Sequence, residues 1–430
     1  MKLRYMLFSL FLIIFASTLN ASQHKHIKKS FPVSSRQKID LNKIWGTDLE
    51  VRSWDKNEVL FDLDLTFRSS DKKYEKEYIR SFDIIKKEDG LSVVFNFKET
   101  NYEPGINFFG LFHIRFMFSV SSKISGKIYL PKENRLDASF KYSNIVLNGM
   151  NSAIYLDGTG NELSLINCPK IFTINNEYGN TSIDNSGGDL ELESRNSKIS
   201  INGFKGSMKI ISDYSNIKIS NATGFVDLTD RNGEIEIINA GGTKVEAPYS
   251  NIKIQNITGA ENEDVDIINK NGNINLARIK GNVFINDSYS PITLQSISGN
   301  VNLNSKSSSV FADSITGNWK SYTEYSQITI KRLVAEKVSI ENKNGAVSIE
   351  LKTVPEKLNI ENIYGNVDVS LPKIFEGKIN MLTKYGNIES DFPLIFKSKE
   401  NRIIASGEIN AGRSTITIET SHANIKLKSN

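Results

Sequence analysis

NSKISI from Asn196, YSNIKI from Tyr214, NGEIEI from Asn232 and YSNIKI from Tyr249 stand at nearly equal steps and share one grammar. Each is a turn dipeptide followed by a strand in which every second residue is aliphatic. The unit extends in both directions. Toward the N-terminus it reads YGNTSI at Tyr178 and YSNIVL at Tyr142. Toward the C-terminus it reads NGNINL at Asn271, YSPITL at Tyr289, SSSVFA at Ser307, YSQITI at Tyr325, NGAVSI at Asn344, YGNVDV at Tyr364, YGNIES at Tyr385 and HANIKL at His422. From Gly179 to Gly386 the second turn residues are 18, 18, 18, 17, 22, 18, 18, 18, 19, 20 and 21 residues apart.

A unit of this length is too short for a pair of helices, and its period of two marks strand. Each unit holds a second strand as well, as in GSMKIIS from Gly206, GFVDLTD from Gly224, GNVFIND from Gly281 and GNVNLNS from Gly299. The simplest solution is all-β: a parallel β-solenoid (β-helix), expected to be right-handed, with one coil per unit stacked at about 4.8 Å. About fifteen coils from Tyr142 to Leu427 give a rod roughly 70 Å long on that spacing.

Alternation assigns the faces. Ile217/Ile219, Ile235/Ile237, Ile252/Ile254 and Ile274/Leu276 point inward as ladders, whereas Lys218, Glu236 and Lys253 lie side by side in the outward slot between them. Cys168 occupies a column otherwise filled by Phe204, Ala222, Ala240, Ile257, Ile279, Ile297, Ile315 and Leu333, so its thiol reads as core filler. One position earlier, Asn167, Asn185, Asn221, Asn239 and Asn256 form a column able to hydrogen-bond from coil to coil. This accounts for the asparagine excess: of 46 in the chain, 39 fall from Asn144 onward.

Tyrosine leads every other unit. A row of tyrosines two coils apart, about 10 Å, presents flat apolar faces and hydroxyls along one edge. Tyr214, Tyr249, Tyr289 and Tyr325 are therefore the candidate ligand-binding row; the competing reading has each ring fold over a neighbouring Gly or Ser to seal the turn.

Outward from the repeat the chain changes character. Lys2 and Arg4 precede the apolar run Met6–Ala16, with small or polar residues following to Ala21. That is the pattern of a secretory signal peptide over 1–21, too short for a bilayer span, and it predicts export to the periplasm or cell surface. Residues 22–30 read as a solvated basic tail, although a terminus at Ser22 would set His24 where a free amine and backbone nitrogens can wrap Cu(II) or Ni(II). Residues 31–132 read as a β-rich capping region, and 133–430 as the solenoid. One helix is predicted near Ser70 and Asp71, which can cap it, with Tyr74, Tyr78 and Phe82 on one face. The strip Phe112, Ile114, Phe116, Phe118, Val120 reads as a half-buried strand.

Composition excludes several classes. Charge is nearly balanced, 53 Lys+Arg against 49 Asp+Glu, which argues against a nucleic-acid groove. A single Cys rules out an intrachain disulfide framework. The acids Glu261, Glu263 and Asp264 lack the regular spacing of a calcium loop, so no metal or other cofactor is expected. No HExxH, GxSxG or phosphate-binding loop occurs, and His113 and His422 stand alone in sequence. No catalytic residue is assigned.

The chain resembles the "putative adhesin" family of exported bacterial proteins, a domain of unknown function. The resemblance rests on Ile44-Trp45-Gly46-Thr47-Asp48-Leu49-Glu50-Val51, on Trp54-Asp55-Lys56-Asn57-Glu58-Val59, on Lys127-Ile128-Tyr129-Leu130-Pro131, on the repeated units and on Gly407–Gly412. It implies a non-enzymatic, surface-binding protein of the cell envelope, with a glycan or an envelope or matrix protein as partner and no catalytic residues to carry over. Two alternatives stay open: a periplasmic envelope scaffold or stress component, and a carbohydrate-active enzyme on a β-helix. Ser143, Ser215, Ser250, Ser290 and Ser326 stand where the family pattern has Gly.

Overall fold

The computed structural model describes residues 22–35, 37–98, 120–258 and 264–430. The leader, the strip from Phe112 to Phe118, His113 and the acids Glu261 and Glu263 lie outside the described residues.

Each coil contributes one strand to each of two facing sheets. On the first face Lys198–Asn202, Asn216–Ser220, Glu234–Ile238 and Asn251–Thr258 run parallel and in register, with Ile199, Ile217, Ile235 and Ile252 abreast. On the second, Leu190–Arg195, Met208–Asp213, Val226–Thr229 and Thr243–Glu246 do the same. The structure is thus the parallel β-solenoid that the repeat predicts. Its core is the space between the faces. Ile217, Ile219, Ile235, Ile237, Ile252 and Ile254 meet Met208, Ile210, Val226, Leu228 and Val245, all 2% exposed or less, and each such burial stabilises by about 1.5–3 kcal/mol. Cys168 is fully buried in the same core.

Two left-handed residues turn each typical coil. At the first corner Tyr142, Tyr178, Tyr214, Tyr249, Tyr289 and Tyr325 have φ between 52° and 65°, and so do Asn196, Asn232 and Asn271 within a few degrees. At the second, Asn167, Asn185, Asn221, Asn239 and Asn256 take φ of 48–57°. Asparagine tolerates this region, which explains its frequency locally. Its side chain then links coils: Asn239 Nδ2 donates to Asn221 Oδ1 at 2.9 Å, and Asn256 Nδ2 to Asn239 Oδ1 at 2.8 Å.

The serines that replace glycine have a task of their own. Their hydroxyls turn inward and accept from the backbone of the preceding coil: Ser197 N–H to Ser215 Oγ at 3.3 Å, Gly233 N–H to Ser250 Oγ at 3.0 Å, Ser308 N–H to Ser326 Oγ at 3.2 Å. Ser215, Ser250, Ser290 and Ser326 are fully buried. At Gly233 a side chain is excluded, since a Cβ there would lie 2.1 Å from Asp230 Oδ2, whereas Ser290 keeps its hydroxyl and bonds Asp287.

The solenoid starts earlier than residue 133. Lys38–Trp45 pairs in parallel with Leu136–Lys141, and Thr47–Trp54 with Asn144–Asn148, so Trp45-Gly46 is the turn of the first coil in sequence. On its other side Ser92–Lys98 and Val120–Pro131 also pair with it in parallel, and Glu58–Ser69 runs antiparallel to Val120–Pro131. Residues 22–30 are not a free basic tail. Gln23–Pro32 is an antiparallel edge strand on Glu58–Ser69, because Ile27 is buried and its polar side chains find partners: His26 Nδ1 lies 2.9 Å from Asp64, and Lys29 Nζ 2.9 Å from Asp83. The helix Lys72–Ser81 forms as expected, capped by Asp71, with Phe67 stacked on Tyr78 at 3.9 Å.

The other end is threaded out of sequence order. Ser414–Ser421 lies between Lys357–Tyr364 and Gly377–Lys384, and Ile425–Ser429 lies between Val367–Leu371 and Ile388–Ser390. The last coil of the chain is therefore the penultimate rung of the rod. The hairpin Ile395–Lys399 and Arg402–Ile409 pairs antiparallel on Gly377–Lys384 and covers the second sheet's end. At the N-terminal end both sheets finish in antiparallel strands carrying lysines, as the second sheet does at the other end, a protection against edge pairing; there the first sheet stops at the three-residue parallel strand Ile388–Ser390.

Candidate functional site

The tyrosine corner is the most distinctive surface. Tyr214, Tyr249, Tyr289 and Tyr325 are 54%, 47%, 49% and 61% exposed. The backbone ladder fixes their order along the edge: Tyr214 N–H donates to Arg231 O, Asn232 to Pro248, Tyr249 to Lys270, Asn271 to Ser288 and Tyr289 to Lys306. Successive tyrosines are therefore two rungs apart, about 10 Å. A φ above zero is costly for a bulky side chain, on the order of 1 kcal/mol each, whereas asparagine, which tolerates it, stands on the rungs between at Asn232 and Asn271, with Ser307 on the third. The row is held against a local conformational preference.

Near the C-terminal end the orientation of such rings is explicit. His422 lies between Tyr364 and Tyr385, with centroids 5.1 and 4.8 Å away and planes within 25° and 20° of parallel. Ring faces there look along the rod, each toward the next rung. Tyr142 likewise lies over Gly160 of the next coil.

A second alternation accompanies the first, and the sequence reading missed it. From Glu177 to Lys343 the residue before the corner is basic on the rungs without tyrosine, at Arg195, Arg231, Lys270, Lys306 and Lys343. On the tyrosine rungs of that stretch it is Glu177, Asp213, Pro248, Ser288 and Glu324, whereas outside it Lys141 and Lys384 precede Tyr142 and Tyr385. Asp213 pairs with both flanking cations, Arg195 at 3.4 Å and Arg231 at 3.1 Å; Glu324 pairs with Lys306 and Lys343. Lys270 has neither neighbour acidic. Its ammonium lies over the Tyr249 ring, 6.0 Å from the centroid. The signal was available in the residue preceding each quoted unit, at the same period as the tyrosines.

Beneath this corner runs a buried polar column, also unforeseen. Asn176, Ser194, Ser212, Asp230, Asn269, Asp287, Ser305, Thr323, Asn342 and Asn362 lie buried at the ends of strands of the second sheet, a column broken once by Ala247 after Thr243–Glu246. Asp230 accepts from Ser212 Oγ at 2.6 Å and Ser250 Oγ at 3.3 Å. Asp287 accepts from Ser290 Oγ at 2.5 Å and Ser308 Oγ at 2.9 Å. Burial pushes both carboxyls above their ordinary values, against the pull of those hydrogen bonds. Closed off from solvent, they stitch coils together and offer no acid–base pair to a substrate.

The remaining candidates are structural in their surroundings. Lys218 and Lys253 reach Glu236 from either side at 2.9 and 2.8 Å, as the outward slot predicts. Burial raises the Cys168 thiol above its usual range, which leaves it protonated and unreactive. His24 bonds Thr66 at 3.0 Å rather than gathering ligands. Among the described residues, no group of three or more His, Cys, Asp or Glu side chains is placed to hold a metal ion, and no helix is long and apolar enough to cross a membrane.

Comparison with known proteins agrees with the resemblance drawn from the repeat. Residues 244–428 match the family model described as Toastrack DUF4097. No curated protein matches. A solved structure titled as that of "a putative cell adhesion protein from Clostridium sporogenes ATCC 15579" aligns over 94% of this chain and 100% of its own, at 9% identity and a TM-score of 0.15. A superposition that poor transfers neither fold nor role.

Proposed function

We propose that this chain is an exported, non-enzymatic rod of the bacterial cell envelope that binds its partner along the tyrosine corner, in the manner of an adhesin. The observation that carries this reading is the strained row itself: bulky aromatic side chains recur at left-handed positions where asparagine would fold more easily, and they end half-exposed. Strain kept at regular intervals on a surface points to use of that surface. The buried setting of Asp230, Asp287 and Cys168 gives the same reading from the other side, since the chemistry-bearing groups of the solenoid interior are engaged in holding it together.

Export and surface display are tested by protease treatment of intact cells, with a lysed control and a periplasmic marker. Loss of the chain from intact cells supports the adhesin reading. Protection alongside the marker overturns it in favour of a periplasmic scaffold. Attachment of cells carrying Tyr214→Asn, Tyr249→Asn, Tyr289→Asn and Tyr325→Asn together is expected to fall, with the amount of folded protein unchanged.

A further inference from the structure

We propose that the partner of the tyrosine corner is a second copy of this chain, the two rods lying antiparallel with the tyrosines of each seated between the tyrosines of the other. This rests on the reading of the corner as the binding edge and names its occupant. Along the edge bulky tyrosines alternate with the smaller Asn196, Asn232, Asn271 and Ser307, so that side-chain size alternates as teeth and notches. Two rungs set tooth from tooth at about 10 Å. The molecule already shows what such a notch accepts. His422 fills the one between Tyr364 and Tyr385, a planar ring about midway between two others, within the 4.5–7 Å range of favourable aromatic pairs. A tyrosine from a second copy would enter the other notches in the same way.

Charge makes the edge complementary to itself. Every acid of the row sits on a tooth rung, at Glu177, Asp213 and Glu324, and the notch rungs carry Arg195, Arg231, Lys270, Lys306 and Lys343. Antiparallel pairing about a two-fold axis with Tyr249 in the Asn271 notch of the second copy sets Asp213 against Lys306 and Glu324 against Arg195. Lys270, which has no ion-pair partner among the described residues, sits at the centre of that seam. The interface is isologous, as two-fold contacts are. Antiparallel strands end both sheets on one side and the second sheet on the other, and the remaining edge, Ile388–Ser390, is only three residues long, so the side of the rod offers the longer surface for assembly. The teeth offer ring area on the order of 500 Å² per copy, at the low end for a specific interface, so the dimer is a reversible one.

The test is sedimentation equilibrium of the full mature chain by analytical ultracentrifugation over a wide concentration range. A reversible monomer–dimer equilibrium is expected, weakened at least tenfold by Tyr249→Asn with Tyr289→Asn, substitutions whose turn conformation the chain already uses at Asn232 and Asn271. Asp213→Lys with Glu324→Lys should also weaken it, and adding Lys306→Glu with Arg195→Glu should restore it; restoration is something a purely structural role would not give. A chain that stays monomeric throughout overturns the proposal, as does a dimer indifferent to both variant sets. If the chain is monomeric yet the tyrosine variants still lose attachment, the corner remains the binding edge and only the identity of its occupant falls.

Discussion

The imidazole of His422 stacks on the ring of Tyr385 at 4.8 Å, although the chain leaves Tyr385, makes a hairpin and returns before it reaches His422. The contact joins the last coil in sequence to the last rung in space. His422→Asn keeps a residue that tolerates the left-handed turn and removes both stacked pairs, each worth about 0.5–1.5 kcal/mol. A loss of about 1 kcal/mol in unfolding free energy is expected, with faster amide exchange confined to 377–390 and 414–429. Unchanged exchange there would show that the stack is incidental.

Tyr249→Asn is expected to behave in the opposite sense. The Lys270 ammonium over the Tyr249 ring is distant, 6.0 Å from the centroid, and the residue's φ of 65° is unfavourable for a bulky side chain. Relief of that strain should leave the melting temperature equal or raise stability by up to about 1 kcal/mol. A clear loss would mean that the ring seals the turn.

Asp230 and Asp287 give the rod a pH dependence with a definite sign. Their folded pKa values stand above the unfolded ones because burial penalises the charge. The protonated form is thus favoured by folding, its contribution being complete below the unfolded value of about 3.9 and lost as pH rises through the folded value. Asp230→Asn should therefore stabilise at pH 7 relative to wild type, with the advantage vanishing near pH 4. Urea melts at the two pH values decide it; an equal difference at both would exclude a titrating Asp230.

The asparagine column separates conformation from hydrogen bonding. Asn239 donates to Asn221, accepts from Asn256 and sits at φ 54°. Asn239→Gly removes the side-chain bonds alone and should cost about 1 kcal/mol. Asn239→Ala adds left-handed strain and should cost roughly 1 kcal/mol more. Denaturant midpoints that rank the two variants the other way would contradict the turn as described.

Cys168 should resist alkylation in the native protein and react only on unfolding, since it is fully buried and protonated. A thiol labelled rapidly under native conditions would place it at a surface.

The coil register was readable because one face is buried: moving Ile217 and Ile219 by one residue would turn Lys218 into the core. For the same reason the columns headed by Cys168 and Asn221 could be placed without coordinates. The first coil escaped because 55–135 separates Trp54 from Leu136, and a period is invisible with one repeat before the gap. Threading of Ser414–Ser421 escaped for another reason. Strands with the same inward spacing fit either side of Gly377–Lys384, and only pairing decides which. Asp230 and Asp287 were hidden because an acid in a strand reads as surface until its hydroxyl partners are known. The Tyr214, Tyr249, Tyr289 and Tyr325 row was named from spacing alone, but the alternation of Arg231 and Lys270 with it lay one residue outside the motif.

Insertion of the C-terminal coil also sets an order of events. Gly377–Lys384 cannot take its final place until Ser414–Ser421 has been made, since the space between it and Lys357–Tyr364 belongs to a segment synthesised later. Premature docking would close that space and strand the final residues outside. A shortened chain would therefore either rest with its last rung in the wrong seat or leave it open, and in both cases the rod would advertise that it is unfinished. The outermost rung is thus seated only by a segment that follows it in the chain.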